Sequence, residues 1–390
     1  MHAARLLQGF LGTALGSMHA LRRAVLCKAV TALVLGRRLT MMGMARAWPG
    51  AERVRAPLKC LDRLLGNRHL LGEMEALAAA KAPWLLRGQQ PVVVVDWSDL
   101  KGDGRWCVLR AGVALQGRTL TLYERVLPLA QQGSPAAQRS LLQALARIVP
   151  KTMRPILVTD AGFRSDWFRA VEAVGWGWIG RLRNNTLVRS AAAGSPWIPC
   201  KSLYAQPART PRELGWHQIV RGAPWDCRLV LCRKACKARH ALTLRGTRRL
   251  ASYQRKVSKA AHEPWLLVVS RGLTTLSAGR IVACYARRMQ IEQSFRDLKS
   301  HQFGHGFEDS LTRLAPRLEI MLLIHALALF VAWLVGLQAQ HAGYDRWLAP
   351  NNSSRQLYSL IRVGGEAIAR GWIPVPTKAD IHQLKELALA

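Results

Sequence analysis

The apolar positions of this chain change their period along its length. Over the first 85 or so residues they recur at helical spacing, through Leu21, Val25, Leu26 and Val30 and again from Leu58 to Leu71. Pro49-Gly50 and Gly66-Asn67 interrupt them, which predicts several short helices. From Gln90 the signature changes. Val92, Val93, Val94 and Val95 form a β-branched run too short for a helix, and alternation over 105–115 and 119–127 predicts two further strands after a Gly102-Asp103-Gly104 turn. Ser134 before Pro135 predicts an N-capped helix to about Ile148, ended by Pro150. A buried strand at 156–159, a helix at 165–174 and a strand at 176–182 follow. This order predicts an α/β fold, a mixed sheet with helices on its faces.

From about 184 to 263 the pattern breaks into short strands and turns, rich in Arg and holding Trp197, Trp216 and Trp225, and reads as a β-rich insertion. The apolar strand style returns at 265–270, and helical patterns fill 277–300 and 311–340. Residues 351–354 read as a linker before a small helical tail. The expected organisation is a helical domain over 1–85, an α/β domain over 86–340 carrying the insertion, and a C-terminal tail over 341–390. Eighteen residues from Ile320 to Leu337 are almost continuously apolar, with His325 the only strongly polar side chain. That length permits a membrane span. The segment is solitary and at the short limit, so it reads as the central helix of a large core.

Composition narrows the partners. A half-apolar chain of 390 residues excludes wholesale disorder and is long enough for two or three domains. Its 57 Lys and Arg stand against 23 Asp and Glu, a net charge of +34, which calls for a polyanion. Two separate patches favour nucleic acid over an anionic membrane. Residues 1–72 hold twelve Lys or Arg with only Glu52 and Asp62, and residues 227–262 hold eleven with no acid. Eight scattered cysteines fit a reducing cytosol, and no signal peptide is read at the N-terminus.

Acids are scarce enough that those ending apolar strands stand out. Asp96 ends the run from Val92, and Asp160 ends Ile156-Leu157-Val158-Thr159. Each alone could cap a strand end; both at the same end of neighbouring strands favour a metal site. Asp99 competes with Asp96, but alternation puts Asp96 and Ser98 on one face and Trp97 and Asp99 on the other, and Asp96 directly follows the buried run. On one continuous helix, Tyr285, Arg288, Glu292 and Lys299 fall within an arc of roughly 60°, beside an apolar stripe of Cys284, Ile291, Phe295 and Leu298. The plain alternative is a solvated Arg288–Glu292 pair. Two zinc arrangements, Cys227, Cys232, Cys236 and His240 or His301 and His305, match no common spacing and are set aside.

The spacing Tyr285-x2-Arg288-x3-Glu292-x6-Lys299 resembles the Y-R-E-K signature of bacterial cut-and-paste transposases of insertion-sequence family four. Asp96-Trp97-Ser98-Asp99, Thr159-Asp160-Ala161-Gly162-Phe163-Arg164 and Asp62-Arg63-Leu64-Leu65-Gly66-Asn67 match further pieces in order, over roughly residues 20–340. The resemblance implies an RNase H-like catalytic domain with a DDE triad of Asp96, Asp160 and Glu292 holding two Mg²⁺ ions, with Mn²⁺ as substitute. It implies that Arg288, Lys299 and Tyr285 meet the DNA backbone and that Trp265 traps a flipped base in a hairpin intermediate. Double-stranded DNA, both transposon end and target, would be the partner, and synapsis of two ends implies a homodimer. Arg53, Arg55, Lys59 and Arg63 are expected to hold the inner part of the end, and the basic tract from Arg228 to Lys259 to clamp it. A cytoplasmic, nucleoid-associated protein without membrane contact follows. An RNase H-like nuclease or resolvase without strand transfer, and a catalytically silent DNA-binding regulator, are the rival readings.

Overall fold

The computed structural model describes residues 2–115, 117–183, 186–205, 209–233, 263–302, 304–350, 357–372, 377 and 379–380. Five helices come first: α1 (His2–Gly16), α2 (Ala20–Gly36), α3 (Met41–Arg46), α4 (Arg55–Leu65) and α5 (Arg68–Leu85). Strands β1 (Val92–Asp99), β2 (Trp106–Ala114) and β3 (Thr119–Pro128) follow, then α6 (Pro135–Ile148), β4 (Ile156–Val158), α7 (Ser165–Ala173) and β5 (Gly177–Leu182). Next are β6 (Leu187–Ser190), β7 (Ile198–Pro199), β8 (Arg212–Ile219), β9 (Trp225–Cys232) and β10 (Trp265–Val269). The described helices end with α8 (Ala278–Ala286), α9 (Met289–Lys299), α10 (Ala315–His341) and α11 (Leu360–Arg370). Two compact units result, one of Met1–Met153 with Met289–Ala390 and one of Arg154–Arg288. These units cross the boundaries expected near 85 and 340.

The first unit is built around α10, which is long and apolar enough to cross a membrane, yet the whole of its most apolar stretch is buried. Helices α1, α2, α4, α5 and α11 and strand β3 all pack against it. A Cβ at Gly336 or Gly364 would collide with backbone of Leu360 or Ala332, so these glycines allow α11 to cross α10 closely. The helix starts at Ala315 rather than near 311 because Pro316 belongs to a first turn and restricts the residue before it. Local signals act as read elsewhere. Asn67 Oδ1 accepts from Leu70 N at 3.1 Å and opens α5, and Ser134 Oγ accepts from Ala137 N at 3.4 Å and opens α6. Leu21, expected on an apolar face, is instead 73% exposed.

In the same unit β1, β2 and β3 form an antiparallel meander, and α9 packs across all three. The pattern over 277–300 predicts one helix, but the chain turns between α8 and α9. Arg287 N and Arg288 N bond three residues back, to Cys284 O and Tyr285 O, and this tightened turn ends α8. Tyr285 and Arg288 therefore do not share one continuous helical face with Glu292 and Lys299.

The second unit is a seven-stranded sheet in the order β4-β5-β10-β9-β8-β6-β7, with β4 and β5 parallel and the other pairs antiparallel. The β-rich stretch is continuous with that sheet, since β9 pairs directly with β10. Arg228, which heads the basic tract, is buried: it pairs with Glu213 at 2.6 Å and donates to Leu273 O at 2.8 Å, so it does not face a DNA backbone. The rest of the tract from Lys234 to Lys259, with Cys236 and His240, lies outside the described residues.

Inside α10, His325 is wholly buried, and neither ring nitrogen has a partner among the described residues. Its ring stands edge-on to His305 at 4.9 Å. Burial holds His325 well below the ordinary histidine range and lowers His305 to about 4. Unfolded histidines take a proton near 6.5, so as pH falls from 7 toward 4 the unfolded state binds protons that the folded state refuses, and stability falls. His325→Leu should raise the unfolding free energy at pH 7 by about 1–3 kcal/mol and flatten its decline toward pH 5. Urea unfolding at both pH values checks this; an unchanged decline would contradict it.

Candidate active site

β1 is buried through Val95 and becomes half-buried at Asp96, Trp97 and Ser98, leaving Asp99 exposed. Asp96 Oδ1 accepts from Trp97 N at 2.8 Å, which orients the carboxylate at the strand's edge. In register, Asp96 faces Arg110 on β2, and Arg110 faces Glu124 on β3. Directly opposed residues share a sheet face, so an acid, a base and an acid form one row. Arg110 is fully buried, bonds Glu124 Oε2 through Nε at 2.6 Å, and lies 4.7 Å from the Phe295 ring centre.

Phe295 belongs to α9, so α9 covers the face that carries Asp96. Lys299 Nζ donates to Ser98 Oγ at 2.9 Å, and by alternation Ser98 is on Asp96's face. Further contacts pin the helix: Ser294 Oγ accepts from Thr119 N at 2.9 Å, and Arg118 pairs with Asp297. Glu292 sits half-buried in the first turn of α9, where the helix dipole favours an acid. Burial lowers the Lys299 ammonium from its usual value, while Glu308 and Asp99 oppose the shift.

The second unit carries the other expected residues. Asp160 follows β4, half-buried, and its Oδ1 accepts from Gly162 N at 2.8 Å. A Cβ at Gly162 would come within 3.0 Å of that oxygen, so glycine permits the close approach. Trp265 opens β10 half-buried, and the Tyr285 ring meets it edge-on at 4.9 Å. Tyr285 is only 3% exposed. Burial raises its phenol, against the pull of Arg288 and Arg181. Tyr285 thus backs Trp265, and Arg288 lies half-buried in the turn after α8.

Arg55, Lys59 and Arg63 recur at every fourth residue of α4 and are exposed, as is Arg53 just before it. Pro57, Leu61, Leu64 and Leu65 bury the opposite side. The face turns these cations to solvent, with Asp62 tied to Arg317 at 2.7 Å.

The donors that could hold a metal are carboxylate oxygens, and hard oxygen ligands suit Mg²⁺ or Mn²⁺. Within neither unit do three His, Cys, Asp or Glu side chains among the described residues gather as a metal group. The expected triad is shared out, with Asp96 and Glu292 in the first unit and Asp160 in the second. His301 Nδ1 lies 2.6 Å from Asp309 Oδ2. Sequence reasoning missed the Arg110–Glu124 pair. Its signal was present: a lone cation in the apolar run Cys107-Val108-Leu109-Arg110-Ala111, matched by a lone acid on the next strand.

A family model described as the transposase DDE domain matches residues 87–329. No curated protein matches the chain. The mixed α/β architecture, with its large mixed sheet, fits an RNase H-like DDE domain. The match takes in β1, the Asp160 turn and α9 and spans well over half of the sequence, so the chain belongs to the DDE transposase domain family.

Proposed function

We propose that this transposase excises and reinserts a DNA element by cutting phosphodiester bonds at its ends and joining the freed 3′ ends to target DNA. Asp96, Asp160 and Glu292 are the acids of the reaction. The observation that carries this reading is the seating of α9, with Glu292, on the face of β1 that carries Asp96, through Lys299–Ser98 and Phe295–Arg110. The three carboxylates would hold two Mg²⁺ ions, or Mn²⁺ in their place; bound there, the ions supply an activated nucleophile and neutralise charge on the leaving oxygen.

The remaining roles fall to side chains. Lys299 and Arg288 grip phosphates beside the cut, where partial burial strengthens each charge–charge contact. Trp265 offers a ring for a base driven out of the stack when a hairpin forms, and Tyr285 stiffens that ring from behind. The Arg55, Lys59 and Arg63 face of α4, with Arg53, holds the inner part of the end. Synapsis pairs two ends and two copies of the chain. On this reading the protein works in the cytoplasm, at the nucleoid and off the membrane, as a member of the bacterial family four whose signature Tyr285, Arg288, Glu292 and Lys299 resemble.

The test is cleavage of linear DNA carrying the element's own ends in Mg²⁺, resolved on a denaturing gel. Wild type should nick at the boundary and yield a hairpin. Glu292→Gln, Asp96→Asn and Asp160→Asn should each lower the rate roughly 10³-fold or more, the equivalent of several kcal/mol. Cutting without joining would instead mean a nuclease, and salt-sensitive binding without cutting a silent regulator. A second measurement addresses α4: replacing Arg55, Lys59 and Arg63 together by Gln should reduce the slope of log affinity against log salt by about 2.7, at about 0.9 per phosphate contact. An unchanged slope would remove α4 from the DNA interface.

A further inference from the structure

Arg110 is a fully buried cation that the reaction above leaves without a task. Its Nε serves Glu124, but Nη1 and Nη2 are buried and have no hydrogen-bond partner among the described residues. Unpaired buried donors are costly, and replacing a buried ion pair by apolar side chains of like volume is often neutral or stabilising. Stability therefore does not account for this residue. Its position does. Arg110 stands directly across from Asp96, and opposed side chains on one face have Cβ atoms about 4.5–5.5 Å apart. Its guanidinium fills the sheet face on which Asp96 stands, while Trp97 N donates to Asp96 Oδ1. The same guanidinium lies against Phe295, three residues beyond Glu292 on α9. Glu124 pairs with Arg110, and the buried Lys81 ammonium feels both charges.

We propose that Arg110 is a positioning residue: it sets the Asp96 carboxylate and, through Phe295, the seat of Glu292, before metal and DNA arrive. The proposal rests on the reading of those acids as metal ligands. Outer partners of metal ligands typically tune affinity 10- to 100-fold.

The test measures Mn²⁺ affinity by the electron paramagnetic resonance of free Mn²⁺, alongside thermal unfolding, in the full-length chain. The double variant Arg110→Met/Glu124→Leu should unfold at or above the wild-type temperature yet bind Mn²⁺ about 10- to 100-fold more weakly. Arg110→Lys, which keeps the charge without the fork, should recover part of the affinity. A folded double variant with wild-type Mn²⁺ affinity would overturn the proposal. Should the double variant not fold, unchanged affinity in Arg110→Lys would overturn it equally. Asp96→Asn separates the two levels of inference: affinity lost there but kept in the Arg110 variants sinks the role of Arg110 alone, whereas affinity kept in Asp96→Asn sinks the ligand assignment and this proposal with it.

Discussion

A helix that is apolar on every side has to be enclosed on every side, and α10 imposes that condition on the whole of its unit. No single sheet face could cover it. The N-terminal helices close on it from one direction, α11 crosses it at Gly336 and Gly364, and β3 meets it from the sheet. The exposed cations of α4 and strand β1 with Asp96 therefore belong to one compact unit rather than to two joined by a linker. The burial that builds this core also explains why a segment with the length of a membrane span is found within a folded α/β protein.

Charge is distributed by the same logic. With 23 acids among 57 Lys and Arg, a carboxylate held in place needs a reason. Several acids of the first unit are tied to arginines, as in Arg22–Glu73, Arg37–Glu366, Arg118–Asp297 and Arg147–Glu75. Of these only Arg147–Glu75 is largely exposed, where such a pair contributes little to stability, and the others are part-buried. Glu124 differs, because its partner is wholly buried beneath α9. There an ion pair fixes geometry, and the geometry it fixes is that of the helix bearing Glu292.

Much of the fold was legible because its signals were local. The valine run of β1, the Ser134 cap, the Gly66-Asn67 break and the alternation in β2 and β3 each act through neighbouring residues, and each is where the pattern put it. Errors arose where distant packing decides. Helical periodicity runs through Arg287-Arg288 without a break, so the turn between α8 and α9 left no mark in the pattern. Leu21 keeps helical spacing yet meets solvent, and Arg228 reads as a surface cation yet pairs with Glu213 inside the second unit. Of the candidate site, Asp96, Asp160 and Glu292 were legible as acids ending apolar runs or facing a helix edge. Arg110 showed only as a lone cation in an apolar run, and its meaning depends on a three-strand register that no single strand reveals.

The account stands or falls on Asp96 and Glu292 acting together on one metal-dependent reaction. The most direct measurement is an anomalous diffraction map from crystals of the protein grown with its end DNA and soaked in Mn²⁺. Peaks coordinated by the carboxylates of Asp96 and Glu292 are predicted. Mn²⁺ bound elsewhere, with both carboxylates turned away from it, would contradict the account.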